Sequence, residues 1–408
     1  MSKIRLLAVP PDTHGVGKYR ILDPYKHIGD NFNDDIHVDI ALDVENVDSA
    51  FNGYDAVIFH SFIHQLSHEE NINRIKWLKK NGIKVIMDID DLWLVDQRHP
   101  MYYQIKENKI PEKKVEMLKL SDYVTTTTPI FAKTIKERIG IKNVEIFPNA
   151  VNEDESQFKP NLIKSDRVRF GWLGGSSHLY DIEILNNGIS SIHNSYKDKV
   201  QFVLCGFDTR GTVTEMIKET NEVKKRPIQP METVWYTYEN IFTDKYRSVD
   251  DDYKKFLHTF VETKYDDTNK SYIRRWTKDI NTYATNYNFF DVSLAPLVPS
   301  FFNENKSQLK LIESGFHKKA IIASDVKPYN LDLISALDHG NFNNKGNSLL
   351  VSENKNHKDW SKHMKKLIEN PNMIEDLGNR LYETVKDKYS LKNVNKDRVQ
   401  FFKNIINK

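Results

Sequence analysis

With one cysteine, Cys205, in 408 residues, the chain has no internal disulfide framework. Cys205 lies in the strand-like run QFVLCG, where a small core residue is its expected role. No stretch of about 20 apolar residues occurs, so no membrane-spanning helix is expected. No signal-like apolar run opens the chain either, and the cytoplasm is the expected location. A dominant charge is also missing: 59 Lys and Arg against 57 Asp and Glu leave +2. No global field therefore draws nucleic acid or an anionic membrane surface; only a local basic groove would. Repeats, low-complexity tracts and flexible linkers are absent. What remains is a 39% hydrophobic, 28% charged composition, which is that of a folded globular protein. The length suffices for two domains, each with its own core.

Apolar runs punctuated by glycine turns organise the chain as two β–α series. The first opens with a strand at Ile4–Val9, followed by Gly15 and Gly17 and the cations Lys18 and Arg20. Two glycines after a first strand let backbone approach a ligand, and a simple turn explains them equally well. Strands are expected at Val38–Leu42, Asp55–His60 and Lys84–Ile89. Ser67 and Glu70 have capping-box spacing for a helix ended by Gly82. His60 and His64 lack an evident third ligand, so no metal is expected there. Asp88, Asp90 and Asp91 cluster at a strand end. They would suit either a divalent cation or a helix cap. Tyr123–Thr128, a helix from Pro129 through Ile139 stopped by Gly140, and Val144–Phe147 complete the series, with Pro148–Val151 closing it.

The second series begins with a strand at Val168–Leu173, then Gly174, Gly175, His178 and Asp181, with Ile182 and Leu185 starting an apolar helical stripe. Val200–Gly206 is its next strand. From Asp208 to Asn286 no clean β–α repeat is visible. That region is expected to be an irregular insertion, either a helical unit with a small core or a binding element. It holds the aromatic run Trp235–Tyr238, an acidic run Asp250–Asp252 and Arg274, Arg275 and Trp276. Phe289–Ala295 reads as a buried strand ended by Pro296, and Lys306–Phe316 as a helix with Leu309, Ile312 and Phe316 on one stripe. Lys306, Ser307 and Lys310 at its start suit a phosphate, and Glu313 shares the face of Lys310. A surface helix with one Lys–Glu pair is the plainer alternative.

The order of these motifs resembles the retaining GT-B glycosyltransferases, in particular family 4. The pattern GG-x-x-H-x-x-D, the PNAV segment and KSxxKxxE followed by ASD are similar to its lysine-serine subgroup in bacteria and phages. The chain departs from the family at Asn305, where the first of two paired glutamates would stand. The resemblance implies an α/β fold of GT-B type: two facing Rossmann-like domains with a cleft between them. These would be residues 1–150 on the acceptor side, residues 151–390 binding the nucleotide sugar, and a C-terminal helix at 391–408 packing back on the first domain. It implies transfer of a sugar from a nucleotide-diphosphate sugar such as a UDP sugar, with retention, without metal and with no cofactor beyond that donor substrate. Asp90, Asp91, His178 and Lys306 take catalytic roles. Gly15, Gly17, Arg20, Gly174, Gly175, Ser307, Lys310 and Glu313 bind the donor, with Glu313 on the ribose. Lys18, Arg274, Arg275 and Trp276 contact the acceptor, which is a glycan, a lipid-linked sugar or a modified DNA base. Two other readings stay open: a GT-A enzyme using Asp88–Asp90 as a metal-binding DxD motif, opposed by the two β–α series, and a non-catalytic nucleotide- or glycan-binding protein of the same fold.

Overall fold

A computed structural model describes residues 3–161, 163–208, 211–217, 222–243, 270–352 and 358–406. The acidic run Asp250–Asp252 and the last two residues of the expected C-terminal helix lie outside them. The chain forms two compact units. The first comprises Met1–Ser156, Pro299–Ile312 and Val385–Lys408, and the second Gln157–Val298 and Glu313–Thr384.

In the first unit six strands form one parallel sheet: β1 (Ile4–Val9), β2 (Ile36–Ile40), β3 (Ala56–His60), β4 (Lys84–Asp88), β5 (Tyr123–Thr126) and β6 (Val144–Ile146). Their order is β2-β1-β3-β4-β5-β6. A parallel sheet must be covered on both faces, and the period-two alternation of β1 divides it between two cores. Leu7 and Val9 join the helices His68–Lys80, Ile110–Leu120 and Pro129–Ile139 on one face. Ile4, Leu6 and Ala8 join Tyr25, Ile28 and the apolar stripe of helix Leu391–Ile406 on the other. Local chemistry sets the helix ends. Ser67 and Glu70 form a reciprocal capping box, Thr128 Oγ1 accepts from the Phe131 amide at 3.2 Å, and Gly140 closes its helix at φ +80°. Strand β2 lies two residues earlier than the apolar run suggests, because its register with β1 pairs Ile4 with Ile36.

The second unit contains β7 (Val168–Leu173), β8 (Val200–Phe207), an antiparallel hairpin of β9 (Thr212–Ile217) and β10 (Glu222–Pro227), β11 (Tyr272–Trp276), β12 (Val292–Ala295), β13 (Ala320–Ser324), a short ribbon of β14 (Leu337–Asp338) and β15 (Asn341–Phe342), and β16 (Leu349–Val351). Its main sheet is parallel, ordered β11-β8-β7-β12-β13-β16. Counted along the chain, these six strands stand 3-2-1-4-5-6, the order of dinucleotide-binding folds.

The region expected to be an insertion is therefore partly integral. Strand β11 is the third main strand, and helix Val234–Thr243 buries Trp235, Tyr238 and Phe242 in the unit's core. The arginines of β11 hid it in the sequence. Arg274 is fully buried against Glu239, with Nη1 at 3.2 Å from Oε2, and Arg275 is buried over the Phe289 ring at 4.1 Å. Burial pushes the Glu239 carboxyl up to about 7, against the pull of Arg274. Trp276 meets Phe207 edge-on. Arg274 and Arg275 are core elements, which corrects their assignment as acceptor contacts; Trp276 is half-buried at the carboxyl end of β11. Tyr283–Phe289 is a tight helical turn, so β12 starts at Val292 rather than Phe289.

A buried ion pair ties the first unit together. Arg20 is 2% exposed. It donates from Nε and Nη2 to the two Asp88 oxygens at 2.9 and 2.7 Å, and from Nη1 to the Phe147 carbonyl and Asn149 Oδ1. Breaking one side of such a pair strands a buried charge. Arg20→Met should lower unfolding stability by about 3–5 kcal/mol, measured by denaturant melting; a loss near zero would show that Asp88 is readily hydrated.

Candidate functional site

Open parallel sheets bind ligands beyond the carboxyl ends of their strands, where the strand order reverses. In the first unit that point lies between β1 and β3. The loop after β1 is shaped by Asp12, whose Oδ1 accepts from the His14 and Gly17 amides at 2.8 and 3.1 Å. Gly15 and Gly17 form the first helical turn beyond it. At the end of β3, His60 Nε2 lies 2.9 Å from Asp90 Oδ1 on the loop after β4. Burial works to raise the Asp90 carboxyl, but the positive charges of His60, when protonated, and of Arg20 outweigh it and hold it down at about 2. Asp91 goes the other way. Crowding by protein and the adjacent Asp90 raise it, against Lys306 and Lys114. The side chain is open to solvent, so water damps that push. Lys114 on helix Ile110–Leu120 is itself lowered by burial and drawn back by both aspartates. Ser307 Oγ accepts from Asn149 Nδ2 at 2.9 Å, and Lys306 Nζ stands 4.9 Å from the Phe302 ring centre.

Asp90, Asp91, Lys306 and Ser307 thus belong to one unit, with His60 and Lys114 added to the cluster. Lys18 and Arg20 require correction. Lys18 is 3% exposed and pairs with Asp23 and Glu155 at 2.8 Å each, and Arg20 is committed to Asp88. Both cations hold the unit together instead of facing a ligand. Asn305 is buried as well, its amide donating to the Phe301 carbonyl at 2.7 Å at the end of a short helix.

In the second unit the reversal lies between β7 and β12. Strand β7 runs into Gly174 and Gly175. Gly206 adopts φ +96° behind them, and a Cβ there would sit 2.2 Å from the Gly174 carbonyl oxygen, so only glycine fits. Tyr238 Oη clamps the loop, accepting from the His178 amide and donating to the Ser176 carbonyl, both at 3.0 Å. Asp181 then joins the two strand ends. One oxygen lies 2.8 Å from His178 Nδ1 and the other accepts the Val298 amide at 2.8 Å. A carboxylate on Nδ1 fixes the imidazole's orientation. Gly174, Gly175 and His178 are brought together here. Val298, Tyr238 and Gly206 are the supporting residues that motif reading missed: a backbone N–H leaves no side-chain signature, and the other two lie far along the chain from the loop.

Helix Leu309–Phe316 crosses the division, with Lys310 counted in the first unit and Glu313 in the second. Glu313 is 4% exposed and accepts the Tyr287 hydroxyl at 3.0 Å. It is a fixed, buried carboxylate, not a surface one. Among the described residues no group of three or more His, Cys, Asp or Glu is arranged to hold a metal ion, and no helix is long and apolar enough to cross a membrane.

The link from Lys114 to the aspartates can be read directly. In Lys114→Met the Asp91 carboxyl should titrate at higher pH than in the wild type, followed by carboxyl-carbon NMR; an unmoved midpoint would detach Lys114 from the cluster.

No protein-family model and no curated protein sequence matches the chain. Solved structures do match. Anabaena HepE in complex with UDP-glucose is similar over 98% of this chain and 100% of its own, at 9% identity and a TM-score of 0.61. A variant of S. aureus TarM in complex with Fondaparinux, alpha-GlcNAc-glycerol and UDP is similar over 85% of this chain at 14% identity and a TM-score of 0.51. The match spans just over half of TarM, 55%. A trehalose-6-phosphate protein of E. coli bound with UDP-2-fluoro glucose is similar over 86% of this chain and 73% of its own, at 9% identity and a TM-score of 0.52. At these identities the likeness is one of fold: an α/β chain of two six-stranded parallel sheets with the GT-B architecture.

Proposed function

We propose that the chain is a glycosyltransferase that moves a sugar from a nucleotide-diphosphate sugar to an acceptor. The observation that carries this reading is the strand-order reversal of the second unit, where the Gly174–Gly175 turn, His178 and the Asp181–Val298 link converge. The exposed Gly175 amide there suits a diphosphate, while the Gly174 amide holds the turn to the Cys205 carbonyl at 3.3 Å. Structures of similar fold that hold UDP or a UDP sugar support the choice of ligand.

In the proposed reaction the bond from the anomeric carbon to the diphosphate breaks as an acceptor oxygen bonds to that carbon, and the acceptor's proton passes to the departing phosphate oxygen. The departing diphosphate gathers negative charge, and the Gly175 amide at the reversal point of the second unit stabilises it. His178 hydrogen-bonds the sugar or a phosphate in the orientation Asp181 imposes. Glu313, pinned by Tyr287, takes the ribose. On the first unit, Asp90 paired with His60, together with Asp91, serves the acceptor side. Retention and independence of metal belong to the proposal. A glycan or lipid-linked sugar is favoured as acceptor, since Arg274 and Arg275, the contacts assigned to a DNA base, are buried.

Thermal shift of the full chain against UDP, GDP, ADP, CDP and dTDP and their sugars, with Mn²⁺ or with a chelator, tests the reading. UDP and its sugars should raise the melting temperature alike in both conditions, and Asp181→Asn should weaken that binding about 10–100-fold, the worth of a charge-assisted hydrogen bond. A shift with no diphosphate would remove the donor site and favour a protein without transferase activity. A shift seen only with Mn²⁺ would favour a metal held at Asp88–Asp90.

A further inference from the structure

The second unit holds a cavity of about 830 Å³ at the amino ends of its strands. Its walls come from the residues just before β7, β8, β12 and β13 and from helices Asp359–Glu369 and Asn372–Val385. The Gly174–His178 loop follows the carboxyl end of β7. A six-residue strand spans about 20 Å, so the cavity and the proposed donor site lie at opposite ends of the sheet.

Its charge is cationic. Arg167, Lys199, Lys318 and Lys319 line it. Three carboxylates also border it. Asp291 is already occupied, its oxygens accepting from Arg169 Nε at 3.1 Å, Nη2 at 2.8 Å and the backbone amide at 2.9 Å. Asp166 and Glu375 are the other two. His317, also in the wall, is held neutral, since burial lowers it to about 3. Arg167 donates Nη1 to the Lys197 and Val200 carbonyls, which fixes the guanidinium in place.

Lys319 is the focal residue. It is 4% exposed and lines the cavity; its backbone amide donates to the Ser314 carbonyl at 2.8 Å, and its ammonium makes no hydrogen bond or ion pair with any described residue. Drawing an ammonium out of bulk water without a partner is costly. Burial lowers it to about 8 with only long-range help from Asp291, so it still carries its charge at neutral pH. The backbone presenting it is rigid. Lys318 turns at φ +53°, and helix Asn372–Val385 rides so close that a Cβ on Gly378 would sit 2.1 Å from the Lys318 carbonyl oxygen. Ile368 and Ile374 give the lining an apolar part.

From this geometry we infer a second binding site, for a small organic phosphate: its phosphate on the Lys319 ammonium with Lys199, Lys318 and Arg167 around it, and its carbon body against Ile368 and Ile374. Nothing in the donor reading requires such a site, so it stands or falls separately.

Calorimetric titration of the full chain with inorganic phosphate and with phenyl phosphate tests it. Both should bind the wild type, phenyl phosphate more tightly because it also covers the apolar part of the lining. Lys319→Met should weaken both by at least about tenfold, as loss of a charge-assisted hydrogen bond does. Should that variant fail to fold, the double variant Lys199→Glu and Lys318→Glu, substituted on exposed side chains, should show the same loss. Asp181→Asn should bind both probes as the wild type does. Absence of heat with either probe, unaltered affinity in the Lys319 variant, or loss of binding in Asp181→Asn would overturn the inference.

Discussion

Parallel pairing of every main strand is the constraint from which the rest of the structure follows. A parallel strand must be re-entered from the same end, so each is followed by a crossover that covers a sheet face. The cores become continuous, and chemistry is expelled to the loops after the carboxyl ends. Both units obey this. Their strand orders differ, 2-1-3-4-5-6 in the first and 3-2-1-4-5-6 in the second, so the reversal falls between β1 and β3 in one and between β7 and β12 in the other. The loops that carry the candidate residues sit at those two reversals.

Buried charge is the second theme. Arg20 with Asp88 and Arg274 with Glu239 are removed from water, and Lys18 is buried against the half-buried Asp23 and Glu155. Each pair specifies which distant segments meet, and each leaves a large penalty if one partner is lost. The same accounting makes Lys319 distinctive. Its side chain is also largely buried, and its ammonium makes no ion pair with any described residue, Asp291 acting on it only from a distance.

Legibility in the sequence followed the range of the interactions. Buried parallel strands read as apolar runs, and β1 and β7 stand where those runs lie. Short-range caps such as Ser67 with Glu70, and the Gly140 stop, were equally visible because both partners sit within a few residues. A contiguous motif keeps its residues together for the same reason: Gly174, Gly175 and His178 lie on the loop after β7 and Asp181 in the helical turn that follows. Long-range pairing was not legible. Arg20 reaches Asp88 across 68 positions and Lys18 reaches Glu155 across 137, so cations that looked free for a ligand are spent on the core. Strand β11 escaped because two arginines interrupt its apolar pattern, and only the fold shows that Glu239 and Phe289 accommodate them. The Val298 amide, which closes the link from Asp181, carries no side-chain signal at all.

The central claim is that the reversal point of the second unit receives the nucleotide diphosphate. Hydrogen exchange of the backbone amides, with and without UDP, tests it most directly. Slowed exchange concentrated at Gly174–His178, with the rest of the sheet unchanged, is the predicted result. UDP that binds while leaving those amides exchanging at their free rate would contradict the account and place the nucleotide elsewhere on the chain.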